Sequence, residues 1–336
     1  MQILDGKLEN EGMGKNSVGG TELMAGRLAS LDSPLFKEFQ IIISRVEAPL
    51  DETKIRVLVL HDLPGDPASD HLKDGGWEKF HKIVFVTNWQ MQAFINYYKI
   101  PWSRCIVLQN AIDPLEEPFD KPADKIKLIY HTTPHRGLDI LVPVFEKLCE
   151  HHDDIELDVY SSFSLYGWGD RDKEFKHVID ACKKNPKINY FSTATNDEVR
   201  EAVKKAHIFA YPSTWPETSC LSLMEAMSGL CVCVHSNYGA LPETAAQWTH
   251  MYHYNEDIQE HAKIFYTVLT NAIEDIRSDR VEMLHRLQTQ KSYADIFYCW
   301  KNRALQWTAL LEMLKDQVKD RKIVMPSQMF SYSTGG

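Results

Sequence analysis

The chain has 336 residues, 44% of them hydrophobic, with a formal net charge of −10 and a pI near 5.8. That length suits about two domains with apolar material for two cores, and the acidic balance argues against a nucleic-acid or anionic-membrane surface. No apolar run reaches the roughly 18 residues of a membrane span, and Met1-Gln2-Ile3-Leu4-Asp5 turns polar at once, so neither a span nor a signal peptide is expected. The seven cysteines form an odd set without CxxC spacing. Cys231 and Cys233 alternate in an apolar stretch and read as reduced core residues, which points to a cytosolic protein.

In chain order, Val18-Gly19-Gly20-Thr21-Glu22 opens a first helix, where glycines let the backbone approach a ligand and Thr21 can cap. Short β-type runs then recur with helical segments between them: Gln40 to Ser44, Ile55 to Leu60, Ile83 to Val86 and Cys105 to Leu108. After a break they continue as Ile126 to Tyr130, Ile155 to Tyr160, Ile188 to Phe191, His207 to Tyr211 and Leu230 to Val234. Alternation of this kind predicts parallel α/β sheets covered on both faces. The break, Asp113 to Pro122, holds three prolines and five charges and reads as an interdomain linker. Expected boundaries are 1–118, 119–295 and 296–336, with two Rossmann-like sheets. Two halves of one large doubly wound sheet remain the alternative. Ser292 to Val318, with Trp300 and Trp307 at helical spacing, reads as terminal helices before an irregular tail after Lys319.

In open α/β sheets ligands bind beyond the carboxyl ends of the strands, so the residues after each run are the candidates. After Leu60 comes His61-Asp62-Leu63-Pro64, and after Tyr130 comes His131-Thr132-Thr133-Pro134-His135-Arg136-Gly137. Ser161-Ser162 and Ser192-Thr193 follow the next two runs. Asp170-Arg171-Asp172 has the Asp-x-Asp form of a metal-binding pair, but it follows no strand and reads as a capped, solvated helix start. His151-His152 and His81 lack partners at metal-ligand spacing. After Tyr211 the chain runs Pro212-Ser213-Thr214-Trp215-Pro216-Glu217-Thr218-Ser219-Cys220-Leu221 and reaches Glu225 with seven residues between the two glutamates. A helix is expected over Ser219 to Met227, capped by Thr218 or Ser219, its amides and dipole suited to a phosphate. Glu225 stands in an apolar helix turn, where a carboxylate needs a partner or a task.

This stretch, with Ala226-Met227 and Gly229 before the next strand, resembles the C-terminal domain of retaining GT-B glycosyltransferases of the family-4 type. The resemblance implies two Rossmann-like domains, an acceptor side and then a sugar-nucleotide side, with C-terminal helices crossing back to the first. His61 matches the family's N-domain histidine loop facing the donor sugar, Gly20 belongs to its recurring GGTE, and Asn110-Ala111-Ile112-Asp113 resembles its Asn-Gly-Ile-Asp. Arg136 falls on the position of a phosphate-binding lysine, while the usual arginine beside it has no counterpart here. By the same resemblance Glu225 accepts hydrogen bonds from the donor ribose, and Glu217 lies near the sugar. Thr218, Ser219, Cys220, Leu221 and Ser162 line the donor.

The implied reaction moves a sugar from a nucleoside diphosphate sugar to a glycan or other hydroxyl acceptor with retention, by front-side displacement. No cofactor, divalent metal, nucleic acid or membrane span is implied. A GT-B epimerase, a phosphorylase and a non-catalytic sugar-nucleotide-binding module share these features. A dinucleotide oxidoreductase does not, since Gly-x-Gly-x-x-Gly after a strand is absent.

Overall fold

The computed structural model describes residues 1–10, 19–31, 33–278 and 280–318. Val18 of the Gly-Gly turn and the tail after Lys319 lie outside them. The chain divides into two compact units: Met1–Asn110 together with the residues from Lys301, and Ala111–Trp300.

In the first unit the elements are β1 (Gln2–Leu4), β2 (Lys7–Glu9), α1 (Gly20–Ala29), β3 (Phe39–Ile43), β4 (Ile55–Leu60), β5 (Lys82–Phe85), α2 (Asn88–Tyr98) and β6 (Cys105–Val107). They form one sheet in the order β2-β1-β3-β4-β5-β6. From β3 to β6 the strands are parallel, while β1 runs antiparallel to β2 and β3. The β1–β2 hairpin turns on Asp5-Gly6, both at positive φ (50° and 79°), as a tight two-residue turn requires. β4, IRVLVL, is buried along its whole length, the pattern of a strand covered on both faces.

The second unit contains β7 (Ile126–Tyr130), α3 (Leu138–Cys149), β8 (Ile155–Val159), α4 (Lys176–Lys184), β9 (Ile188–Tyr190), α5 (Asn196–Lys205), β10 (Ile208–Tyr211) and α6 (Leu221–Ser228). It continues with β11 (Val232–Ser236), α7 (Leu241–Ala245), β12 (His250–Tyr252), α8 (Ile258–Ser278) and α9 (Arg280–Phe297). The last helix, α10 (Trp300–Gln317), belongs to the first unit from Lys301 onward. Its Trp307 is buried.

The second sheet is parallel throughout, in the order β12-β11-β10-β7-β8-β9. Two separate six-stranded sheets therefore replace the alternative of one large doubly wound sheet. The strand order reverses between β7 and β10, so the chain leaves these neighbours in opposite directions and opens a crevice at their carboxyl ends. No described helix is long and apolar enough to cross a membrane.

The stretch from Asp113 to Pro122 lies within the second unit, and its polar groups are anchored there. Arg200 Nη2 donates to the Asp113 carbonyl at 2.9 Å, the Leu115 amide to Ser228 Oγ at 2.8 Å, and Lys121 Nζ to the Gly229 carbonyl at 3.0 Å. Prolines and charges gave this segment the look of a linker, but buried donors and acceptors hold it down.

Candidate active site

The crevice of the second unit is walled by the loop after β7, the loop after β10 and the turn at Gly239. Two left-handed glycines let these backbones touch. A Cβ on Gly137 (φ 116°) would lie 2.1 Å from the Pro212 carbonyl oxygen, and one on Gly239 (φ 66°) 2.5 Å from the Glu217 amide nitrogen. Any larger residue would push the loops apart. Glu217 pairs with Gly239 through a parallel bridge, and the Ala240 amide donates to the Glu217 carbonyl at 2.7 Å.

Held in this way, the Glu217 side chain is only 3% exposed. Arg136 Nη1 and the Tyr211 hydroxyl both donate to its Oε1. Arg136 Nε donates to Thr133 Oγ1 at 3.1 Å, and its guanidinium lies 5.9 Å from the centre of the Trp215 ring. A buried carboxylate survives only when paired and hydrogen-bonded, and here one cation and one phenol meet that need. Burial raises the Tyr211 phenol well above its ordinary value, so it remains a protonated donor.

Arg136 ends a 3-10 turn, Pro134–Arg136, and Gly137 separates it from α3. Glu217 supplies its partner, which local sequence could not show.

Glu225, on α6, is 6% exposed and accepts from Arg200 Nη1 at 3.1 Å and Asn196 Nδ2 at 3.4 Å. Sequence reasoning missed both partners. They sit on α5, whose start is fixed by a capping box between Thr195 and Glu198. Only the packing of α5 beside α6 brings them within reach.

The expected cap of α6 is corrected. The helix begins at Leu221 rather than Ser219, its N-cap is Cys220, and no side chain caps it. The pairing of Glu217 with Gly239 keeps the chain extended through Cys220 (φ −113°, ψ 93°), overriding the local preference of Thr218 and Ser219. Ser219 Oγ is buried without a hydrogen-bond partner among the described residues, as are Ser161 Oγ after β8 and His131 Nε2 and His135 Nδ1 after β7. Buried polar atoms rarely go unpaired, and these four lie close to the carboxyl ends of β7, β8 and β10. Burial pushes both histidines down to about 3, leaving them neutral at pH 7.

Ser162 is 3% exposed, and its hydroxyl donates to Asp172 Oδ2 at 2.5 Å. The Phe163 amide donates to Asp172 Oδ1 at 2.8 Å. Asp170 is exposed and pairs with Lys173 at 2.8 Å. The two aspartates thus serve different partners. Gly169–Phe175 is a 3-10 turn with no side-chain cap, a correction to the capped helix start expected there. Among the described residues no group of three or more His, Cys, Asp or Glu side chains could hold a metal ion.

His61 and Gly20 belong to the first unit. Gly20 opens α1, whose N-cap is Gly19 with no side-chain cap, so Thr21 does not serve as one. His61 follows β4, and burial pushes its imidazole down to about 4, against a side-chain hydrogen bond with Asn110 that favours the charged form. Its loop is gripped by Gln90, whose Nε2 donates to the carbonyls of Leu60 at 3.2 Å and Asp62 at 2.8 Å. Beside it lies a small, mostly apolar pocket, partly open to solvent, that includes Met24, Leu28, Val59 and Trp307 among its walls.

Residues 114–289, just over half of the chain, match the family model for glycosyl transferases group 1. Among curated proteins, the GPI3 subunit of the phosphatidylinositol N-acetylglucosaminyltransferase of Saccharomyces cerevisiae is 22% identical over 173 residues, 48% of this chain and 37% of that protein. The Schizosaccharomyces pombe counterpart is 18% identical over 168 residues, 49% of this chain and 33% of that one. The chain thus spans about a third of the length of these curated relatives. Among solved structures, a glycosyltransferase from Rickettsia africae superposes with a TM-score of 0.62 at 14% identity, covering 89% of this chain and 81% of its own. Anabaena HepE, solved with UDP-glucose, gives 0.60 at 15%, covering 88% and 77%. These likenesses fix the fold as the two-Rossmann GT-B type. With the family model spanning the crevice from the Arg136 loop to Glu225 and beyond, the chain belongs to the group 1 glycosyl transferases.

Proposed function

We propose that this chain is a glycosyltransferase that moves a sugar from a nucleoside diphosphate sugar to an acceptor hydroxyl with retention at the anomeric carbon, without a divalent metal. The observation that carries the reading is the pair of buried glutamates at the parallel switch point, each tied to an arginine. Departure of the nucleoside diphosphate builds negative charge on phosphate oxygens, and cations and amides aimed there lower the barrier. Arg136 supplies the cation, with a fork suited to phosphate. The amides from Thr218 to Leu221 and the orphaned Ser219 hydroxyl supply further donors.

Glu225, steadied by Arg200 and Asn196, accepts hydrogen bonds from the ribose hydroxyls, a task for an ionised carboxylate. Glu217 lies near the transferred sugar and orients or stabilises it. No second carboxylate motif in the sequence marks a covalent nucleophile, which favours front-side displacement. His61 of the first unit takes part as a neutral hydrogen-bonding group, and Gly20 as a close backbone approach. The seven free cysteines support a reducing, cytosolic setting.

The test is a panel of nucleoside diphosphate sugars assayed for nucleoside diphosphate release with and without acceptor, and NMR of the product's anomeric configuration. UDP-glucose and UDP-N-acetylglucosamine head the panel, since HepE was solved with the first and the yeast relatives are named for transfer of N-acetylglucosamine. Acceptor-dependent release with a retained anomer is expected. An inverted anomer overturns the stereochemistry, and conversion without acceptor points to an epimerase.

A further inference from the structure

We propose that Tyr211 is a positioning residue for Glu217, pinning one carboxylate oxygen so that the other is turned to the ligand; this rests on the transfer chemistry proposed for the site. Tyr211 ends β10 and is fully buried, its ring packed 5.4 Å from that of Phe209 and 6.1 Å from that of Tyr130. A ring enclosed in this way holds its hydroxyl at a fixed point. That hydroxyl donates to Glu217 Oε1, the atom that also receives Arg136 Nη1. A carboxylate offers lone pairs on both oxygens, and both donors here converge on one.

Oε2 receives no hydrogen bond among the described residues. It is also not among the buried atoms left without a partner. The Glu217 backbone is fixed as well, by Gly239 and Ala240. A glutamate locked at the backbone and at one oxygen keeps a single open acceptor. Arg136 is arranged alike: Nε is spent on Thr133 and Nη1 on Glu217, while Nη2 has no hydrogen bond among the described residues. The ion pair therefore keeps one acceptor and one donor unspent among the described residues. Such a pair suits a ligand carrying both a hydroxyl and an anionic oxygen, as a sugar 1-diphosphate does.

The alternative is that the carboxylate merely satisfies a buried phenol. A double-mutant cycle separates the two roles, because groups acting through one another are not additive. Tyr211→Phe removes the hydroxyl and keeps the ring. With a sugar nucleotide that the wild type turns over, Tyr211→Phe is expected to lower kcat about tenfold, the weight of one hydrogen bond to a charged group, with KM for the donor changed less than about twofold. In the Glu217→Gln background the same substitution should change kcat by less than about twofold. A tenfold loss in both backgrounds, or a Tyr211→Phe enzyme at wild-type rate, overturns the positioning role while leaving the transfer reading intact. A wild type that turns over no sugar nucleotide overturns the transfer reading and this proposal with it.

Discussion

In the first unit the loop after β4 carries a histidine that burial holds neutral, braced by the amides of Gln90 and Asn110 beside a mostly apolar pocket. In the second unit the loops after β7 and β10 carry one arginine–glutamate pair and three further buried polar atoms without hydrogen-bond partners among the described residues, and α5 and α6 hold a second such pair. Both sheets have buried polar groups at their strand ends, but among the described residues the two buried arginine–glutamate pairs belong to the second unit. The contrast teaches that fold alone does not divide the labour: a parallel strand end suits an anion when cations and unpartnered donors are gathered there. The loop after β4, where a neutral His61 stands beside Asp62, suits positioning rather than neutralisation of negative charge.

The sharpest way to break this contrast is to remove the cation of the second unit. Arg136→Ala should lower kcat/KM for the sugar nucleotide on the order of a hundredfold, since the phosphate charge develops in the transition state. Arg136→Lys should recover part of the loss, keeping the charge without the fork. A near wild-type rate for the alanine variant would place the cation elsewhere.

A second prediction uses the buried histidines. His131 titrates near 3 in the folded chain because of burial, against about 6.5 when exposed. Below pH 6.5 the unfolded chain takes up a proton that the folded chain refuses, so stability falls as pH drops from 6.5 toward 3 and is unaffected by this group above 6.5. At pH 5 the penalty is about 2 kcal/mol. Because its Nε2 has no partner, His131→Phe strands nothing at that atom and should lose about 2 kcal/mol less than the wild type between pH 7.5 and 5 in urea unfolding. An equal loss in both proteins would show that His131 titrates normally.

The smallest expected effect is that of metal removal. Exhaustive EDTA treatment should change turnover by less than about twofold, because Arg136 and the α6 amides supply the charge a metal ion would otherwise bring. Loss that returns with Mg²⁺ or Mn²⁺, and is lost again in Asp170→Ala or Asp172→Ala, would move the charge to the aspartate turn.

Much of this architecture was legible in the sequence. β4 (IRVLVL) and β7 (IKLIY) announce themselves as apolar runs with a single basic residue each, and the two glutamates stand out because one interrupts an apolar helix. β1 (QIL), β2 (KLE) and β12 (HMY) escaped notice because each is three residues long and opens on a polar or charged one, although Asp5-Gly6 carried the turn chemistry of a hairpin. Arg200 could not be read, since its tie to Glu225 depends on how α5 lies against α6. Tyr211 passed as one more apolar strand residue, its hydroxyl meaningful only once the Glu217 loop folds over it. The α6 cap was misplaced for the same reason: a long-range bridge to Gly239 outweighed the local preference of serine and threonine.

The central claim is that the buried glutamates and their arginines hold a sugar nucleotide, and calorimetric titration of the full chain tests it most directly. Wild type and Glu225→Ala are titrated with the same donor, with far-UV CD checking the fold. The account predicts intact CD and affinity reduced about ten- to a hundredfold in the variant, from the loss of a charged hydrogen-bonding partner. Equal affinity in two equally folded proteins would contradict it.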